Sequence, residues 1–229
     1  MRSGAGAPQL KVFGTAVVAL VVGLTTASCS EDGPPEAGPR PSATPGSAAA
    51  PSMTFEEAYR RLPMEGTKDL PITWELSGAP TTGEVLAARR GLVFFYWLLQ
   101  ATDWTSIIPV GRFVYSDRYY QKILAPVATT SDTENPSIGP LWIKYMGIEK
   151  TGPDRATVTF CSDLGYWHGA ENKDFKVRKN RANIESYELQ KIQPGDGAQR
   201  WVADRRLDPD VSRDPKYDAE CRKWARHQP

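Results

Sequence analysis

The chain has 229 residues with 28 basic and 27 acidic side chains, three cysteines and two histidines. Near-neutral charge argues against a nucleic-acid binder, and two histidines are too few for a multi-histidine metal site. The motifs G-x-S-x-G, H-E-x-x-H, S-x-x-K and C-x-x-C, and a glycine-rich phosphate loop, are all missing, so composition points to no catalytic family.

The first 28 residues read as a secretory leader: Arg2 and Lys11, the apolar run Val12 to Leu24, then small residues. An apolar run of about thirteen residues is too short to span a bilayer, which needs roughly twenty. Ala27 and Ser28 stand directly before Cys29, and "TTASC" resembles the lipobox of bacterial lipoproteins, with Thr26 in place of the usual leucine. The resemblance implies that Cys29 receives diacylglycerol and becomes the new N-terminus. Two acyl chains hold a protein on a membrane durably, at about 0.8 kcal/mol per buried methylene. The expected location is the extracytoplasmic face of the cell membrane. Removing the leader leaves 26 basic against 27 acidic residues.

Residues 29–52 follow with Pro34, Pro35, Pro39, Pro41, Pro45 and Pro51 and almost no large apolar side chain. Such a segment buries too little surface to offset chain entropy and is expected to be a disordered tether. As a coil, Ser30 to Ser52 would span roughly 25 to 30 Å, and in polyproline form about 70 Å.

From Met53 to Pro229 the length suits one domain. "TFEEAYRRL" carries a capping box, Thr54 with Glu57, and stops at Pro63. Thr81 and Glu84 form a second such pair before "VLAARRGLVFFYWLLQATDW", where Val85, Ala88, Leu92, Phe95, Tyr96 and Leu99 share a face. This is the expected central, largely buried helix. "SDRYYQKIL" adds a short helix capped by Ser116.

The second half reads as strands: "GPLWIKYMGIEK" and "DRATVTFCSDL" around the turn "TGPD", then "IESYELQKIQ" and "QRWVADRRL" around "PGDGA". Helices followed by two long hairpins predict an α+β fold, with the N-terminal helices packed on one face of a curved antiparallel sheet. The order of elements, with the phrases "VTFCSD" and "RWVADRRL", resembles the nuclear-transport-factor-two-like superfamily, the cone-shaped fold of SnoaL-like cyclases and ketosteroid isomerases. It looks most like the tethered lipoproteins of Gram-positive actinobacteria. The resemblance implies a sheet curled around a helix to leave a pocket, which many members use for binding without catalysis.

With Cys29 lipidated, Cys161 and Cys221 are an even pair in an oxidising compartment, and a disulfide between them would pin "KYDAECRKWARH" to the sheet. That tail reads as a helix with Asp218 and Arg222 one turn apart. Three groups are candidate general bases: Asp163 and His168 in "CSDLGYWHG", and Asp103 beside Trp104 at the end of the central helix. Against them stands the reading of a loop whose aromatics cover the sheet edge. Lys173, Lys176, Arg178, Lys179 and Arg181 crowd around Phe175 and could meet anionic lipid or wall polymer, or could be a solvated loop.

Three functions follow from this reading. The first is a membrane-anchored lipoprotein whose domain binds a small apolar ligand or an envelope partner, without catalysis or cofactor. The second is a structural or regulatory envelope protein docking through its surface. The third is an isomerase- or cyclase-type enzyme using Asp103, Asp163 or His168.

Overall fold

The computed structural model of the chain describes residues 53–128, 135–179, 181–207 and 215–226. Cys29, the leader, the Pro-rich segment and His227 lie outside the described residues. Residues Ala49–Pro229 form a compact unit by themselves.

Helix α1, Phe55–Arg61, starts on the expected capping box: Thr54 Oγ1 accepts from Glu57 N–H, and Glu57 Oε2 accepts from Thr54 N–H at 2.7 Å. The short strand β1, Ile72–Glu75, follows. Helix α2, Gly83–Gln100, is the central helix. The Thr81–Glu84 capping box does not form, because the N-cap is Thr82 and it makes no side-chain cap hydrogen bond. Glu84 is instead buried and takes an ion pair from Lys150 at 3.1 Å. Of the face expected to be buried, Val85, Ala88, Leu92 and Tyr96 are buried, whereas Phe95 and Leu99 are only partly covered.

Helix α3, Ile108–Val114, has Pro109 in its first turn. Helix α4, Asp117–Tyr119, is capped by Ser116, whose Oγ accepts from Tyr119 N–H at 3.2 Å. It runs on as a π-helical turn, Tyr120–Leu124, and a 3₁₀ turn, Ala125–Val127. Then come β2 (Ser137–Ile138), β3 (Leu141–Gly152), β4 (Arg155–Asp163), β5 (His168–Gly169), β6 (Ala182–Ile192) and β7 (Arg200–Arg206). Helix α5, Pro215–Trp224, closes the described chain.

The main sheet has the order β1-β3-β4-β6-β7, and β2 pairs with β5 separately. Both expected hairpins form, β3 with β4 and β6 with β7, and β4 with β6 joins them. The expectation of a purely antiparallel sheet is corrected at one edge, where β1 runs parallel to β3. The domain is therefore α+β, with a curled, antiparallel-rich five-stranded half-barrel and, among the described residues, five α-helices. Bulges at Tyr145/Gly147 and Glu188/Leu189 interrupt the ladders, where an extra residue bends and twists the strand.

Strand alternation sends Phe160 and Ser162 to one face and Cys161 to the other. On the inner face Gly91 lets α2 come against the sheet: a β-carbon there would lie 3.2 Å from the Tyr187 ring and 3.3 Å from the Ala203 β-carbon. The main core includes Leu92, Phe94, Ile143, Val158, Phe160, Tyr187 and Leu189. The outer face carries a separate cluster of Cys161, Ile184, Cys221 and Ala225, where α5 packs.

Candidate functional site

Each group proposed as a general base is held by a local turn. Asp103 lies past the end of α2, exposed, and its Oδ1 accepts from the Thr105 amide at 2.9 Å and the Thr105 hydroxyl at 2.6 Å. Those two bonds hold its carboxyl below the ordinary aspartate range, the opposite of what a general base near neutrality needs. Asp163 ends β4, is 2 % exposed, and accepts from Gly165 N–H at 2.9 Å. His168 is half-buried, with Nδ1 at 2.7 Å from the Tyr166 carbonyl and its ring stacked on Phe175 at 3.8 Å. A carbonyl only accepts, so Nδ1 is the protonated nitrogen.

Sequence reasoning missed the most polar place in the interior. The Glu185 side chain is 0 % exposed, yet it carries a carboxylate on the inner face of β6. Tyr96 Oη from α2 donates to its Oε1 at 2.6 Å, Ser162 Oγ from β4 donates to the same oxygen at 2.5 Å, and Arg206 from β7 reaches Oε2 at 3.2 Å. The Arg206 guanidinium lies 4.1 Å from the centre of the Phe95 ring. Burial lowers the pKa of Arg206, but Glu185 beside it overcomes this and raises it, so the guanidinium stays charged. Burial and the Glu185 charge together push the Tyr96 hydroxyl far above its usual value, so it remains a donor. The one signal in the sequence was the break in the β6 pattern, a glutamate between Ile184 and Tyr187 where strand alternation calls for an apolar side chain.

A second carboxylate is handled at the sheet edge. Asp204 sits at the β7 bulge, 3 % exposed, and accepts from Ser116 Oγ at 2.7 Å, Arg118 at 2.6 Å and Arg155 at 2.8 Å. Burial raises its pKa, but the bonds from Ser116 and Arg155 and the charge of Arg118 outweigh this and hold it below the ordinary range. Both carboxylates are paired and read as architecture, although the Arg206 Nε is buried without a hydrogen-bond partner.

Two of the surface clefts lie beside α2 and α4. One, about 420 Å³, opens at the start of α2 between Leu76, Ala79, Pro80, Val85 and Leu86, with Arg89 on its rim. Leu86 is 38 % exposed, one of few large apolar side chains so placed. The other, about 460 Å³, lies between α4 and β7 and is lined by Arg118, Tyr119, Lys122, Ile123, Arg205 and Arg206 among others. Arg118 is already paired with Asp204, Arg205 with Glu188 and Arg206 with Glu185.

Among the described residues, no group of three or more His, Cys, Asp or Glu is placed to hold a metal ion, and no helix is long and apolar enough to cross a membrane. The expected disulfide is present: Cys161 on β4 is bonded to Cys221 on α5, with α-carbons 5.4 Å apart. Of the basic run, Lys173, Lys176, Lys179 and Arg181 are exposed, while the Arg178 guanidinium turns back to the carbonyls of Leu164 and Trp167. Comparison with protein-family models, curated proteins and solved structures finds no match.

Proposed function

We propose that this chain is a lipid-anchored protein of the extracytoplasmic face of the cell membrane, whose domain is a non-catalytic module that binds a small apolar ligand. The observation that carries the binding reading is the cleft at the start of α2, where Leu76, Ala79, Pro80, Val85 and Leu86 offer apolar surface with one charged group, Arg89, at the rim. A concave, mostly apolar surface with a few polar groups, here Thr81, Thr82 and Arg89, is the usual make-up of a small-molecule site. The curled five-stranded sheet with α2 laid against it supports a relation to the cone-shaped nuclear-transport-factor-two-like folds. The non-catalytic reading rests on Asp103, Asp163 and His168, each engaged in its own turn.

Native mass spectrometry of residues 49–229, exported through the natural host and compared with the denatured mass, tests the binding reading. A retained apolar molecule that is lost in Leu86→Asp supports it; a retained molecule indifferent to Leu86→Asp, or an empty domain, removes the cleft as the site. Anchoring has its own test: Cys29→Ala releases the protein or leaves its leader uncleaved, and unchanged processing and membrane fractionation count against it.

A further inference from the structure

The loop that joins β5 to β6 carries cations of two kinds. Arg178 builds the loop: its guanidinium donates to the carbonyls of Leu164 and Trp167, and its amide donates to the Gly165 carbonyl at 3.0 Å. The His168–Phe175 stack and the Phe175 amide bond to the Asn172 carbonyl, at 3.2 Å, hold the same loop from the other side. Lys173, Lys176, Lys179 and Arg181 are left exposed around it, and none of them is in an ion pair among the described residues. The loop also contains Glu171 and Asp174, so its net charge is positive by three from Glu171 to Arg181. In its middle Val177 is 38 % exposed, one of three large apolar side chains at such exposure among the described residues.

We propose that this loop is a bilayer contact: it docks on membranes rich in anionic lipid head groups, with Val177 entering the interface while Lys173, Lys176, Lys179 and Arg181 lie at the phosphate level. Charge complementarity selects an anionic surface, and the exposed valine at the centre of the cations selects a bilayer over a soluble polyanion, which has no apolar interior. A loop already fixed by its own hydrogen bonds loses little freedom on docking. The placement is compatible with anchoring. Leu164 N–H donates to the Arg181 carbonyl at 2.8 Å, which puts the loop at one end of β4 and β6. The start of the domain is at the other end, where Phe55 shares a cleft with Ile192. Eleven residues of β6 cover about 35 Å, less than the roughly 70 Å reach of the Pro-rich segment in extended form. The inference goes beyond the anchored-module reading and is tested without the lipid, so either can fail alone.

The test is cosedimentation of residues 49–229 with vesicles of phosphatidylglycerol and phosphatidylcholine, against phosphatidylcholine alone. Binding only to the anionic vesicles, weakening as salt is raised, is expected. Each cation near an anionic surface raises partitioning about five-fold, so Lys176→Gln with Lys179→Gln should reduce it about thirty-fold. Lys68→Gln with Lys122→Gln, exposed lysines elsewhere, should leave it nearly unchanged. Val177→Ala removes two carbons and should weaken binding by up to about fifteen-fold. The proposal is overturned by equal binding to phosphatidylcholine, by no vesicle binding at all, or by equal losses in the two lysine pairs. It is also overturned if soluble polyphosphate binds as tightly as vesicles and Val177→Ala changes neither. All the substituted side chains are exposed, and matching circular dichroism spectra confirm folding.

Discussion

The two faces of the same sheet are stabilised by different means. The inner face meets α2 and the helices that precede the long strands in a core large enough to hold an ion pair, Glu185 with Arg206, joined by Tyr96 and Ser162. The outer face offers two buried residues, Cys161 and Ile184, to a ten-residue helix that brings Cys221, with Ala225 just past its end. An isolated helix of that length is marginal in water, and so small an apolar cluster does little to change that. Covalent and polar links supply what packing lacks: the disulfide, the Trp224 Nε1 bond to Glu75 at 2.6 Å, and Lys144 between Glu75 and Glu220. On β3, Gly147 leaves the space that the Tyr217 ring fills. Where burial is extensive the protein tolerates buried charge, and where burial is slight it uses a cross-link.

The contrast can be broken first from the inside. Glu185→Ala leaves Arg206 as an uncompensated charge under α2 and should destabilise the domain by about 5 kcal/mol in urea unfolding. Glu185→Leu with Arg206→Met removes both charges and should recover most of that loss, since a buried pair replaced by apolar groups is often neutral. If the double variant is as unstable as the single one, the pair is more than a compensated burial. On the outside, replacing Cys161 and Cys221 by Ser, or adding a reductant, should lower stability by about 4 kcal/mol for the 60-residue separation. Amide exchange should then rise in α5 while β4 and β6 remain protected, because the helix has little else to hold it. Equal loosening of the strands would mean that the two faces are not separable.

Smaller effects sharpen the picture. Gly91→Val places methyl groups against Tyr187 and Ala203 and should cost about 2 kcal/mol by overpacking. Trp224→Phe keeps an aromatic side chain, though a smaller one, and loses the bond to Glu75, for about 1 kcal/mol. Acid titration isolates Asp204. Its folded pKa lies below the unfolded value, so its contribution is present above the unfolded pKa of about 4 and is lost as pH falls through the folded one. Asp204→Asn should be less stable than the parent near neutrality, and the gap should narrow below about pH 4. A gap independent of pH would assign the loss to geometry instead of charge.

Part of this architecture was legible beforehand. The capping box at Thr54 and Glu57, the Ser116 cap, both hairpins and the cysteine pair depend on local chemistry or on a count. Strand β1 was missed because four residues after Pro71 are too short a run to show a period, and its partner β3 lies about seventy residues away in parallel. Helix α3 was missed because Pro109 and Gly111 read as loop residues; Pro109 in fact occupies the first turn, where its absent N–H is no loss. The candidate bases were chosen for residue type near aromatic rings, and the structure shows why type was not enough: turns at Thr105, Gly165 and Tyr166 already use them. Glu185 was passed over because a single acidic residue in a strand looks solvent-facing until the register is known.

The amino-acid sequence by itself determined the α+β class, the order of the hairpins, the helix caps and the pairing of Cys161 with Cys221, since these follow from periodicities and contacts that operate over a few residues or from parity. Tertiary structure alone decided that β1 joins the sheet in parallel, that Glu185 and Arg206 meet under α2, that Arg178 folds its loop while its basic neighbours face outward, and that an apolar cleft opens beside Leu86. Each of those depends on which segments arrive from a distance, and for Glu185 and Arg206 a shift of one residue in register would have turned the side chain to the other face.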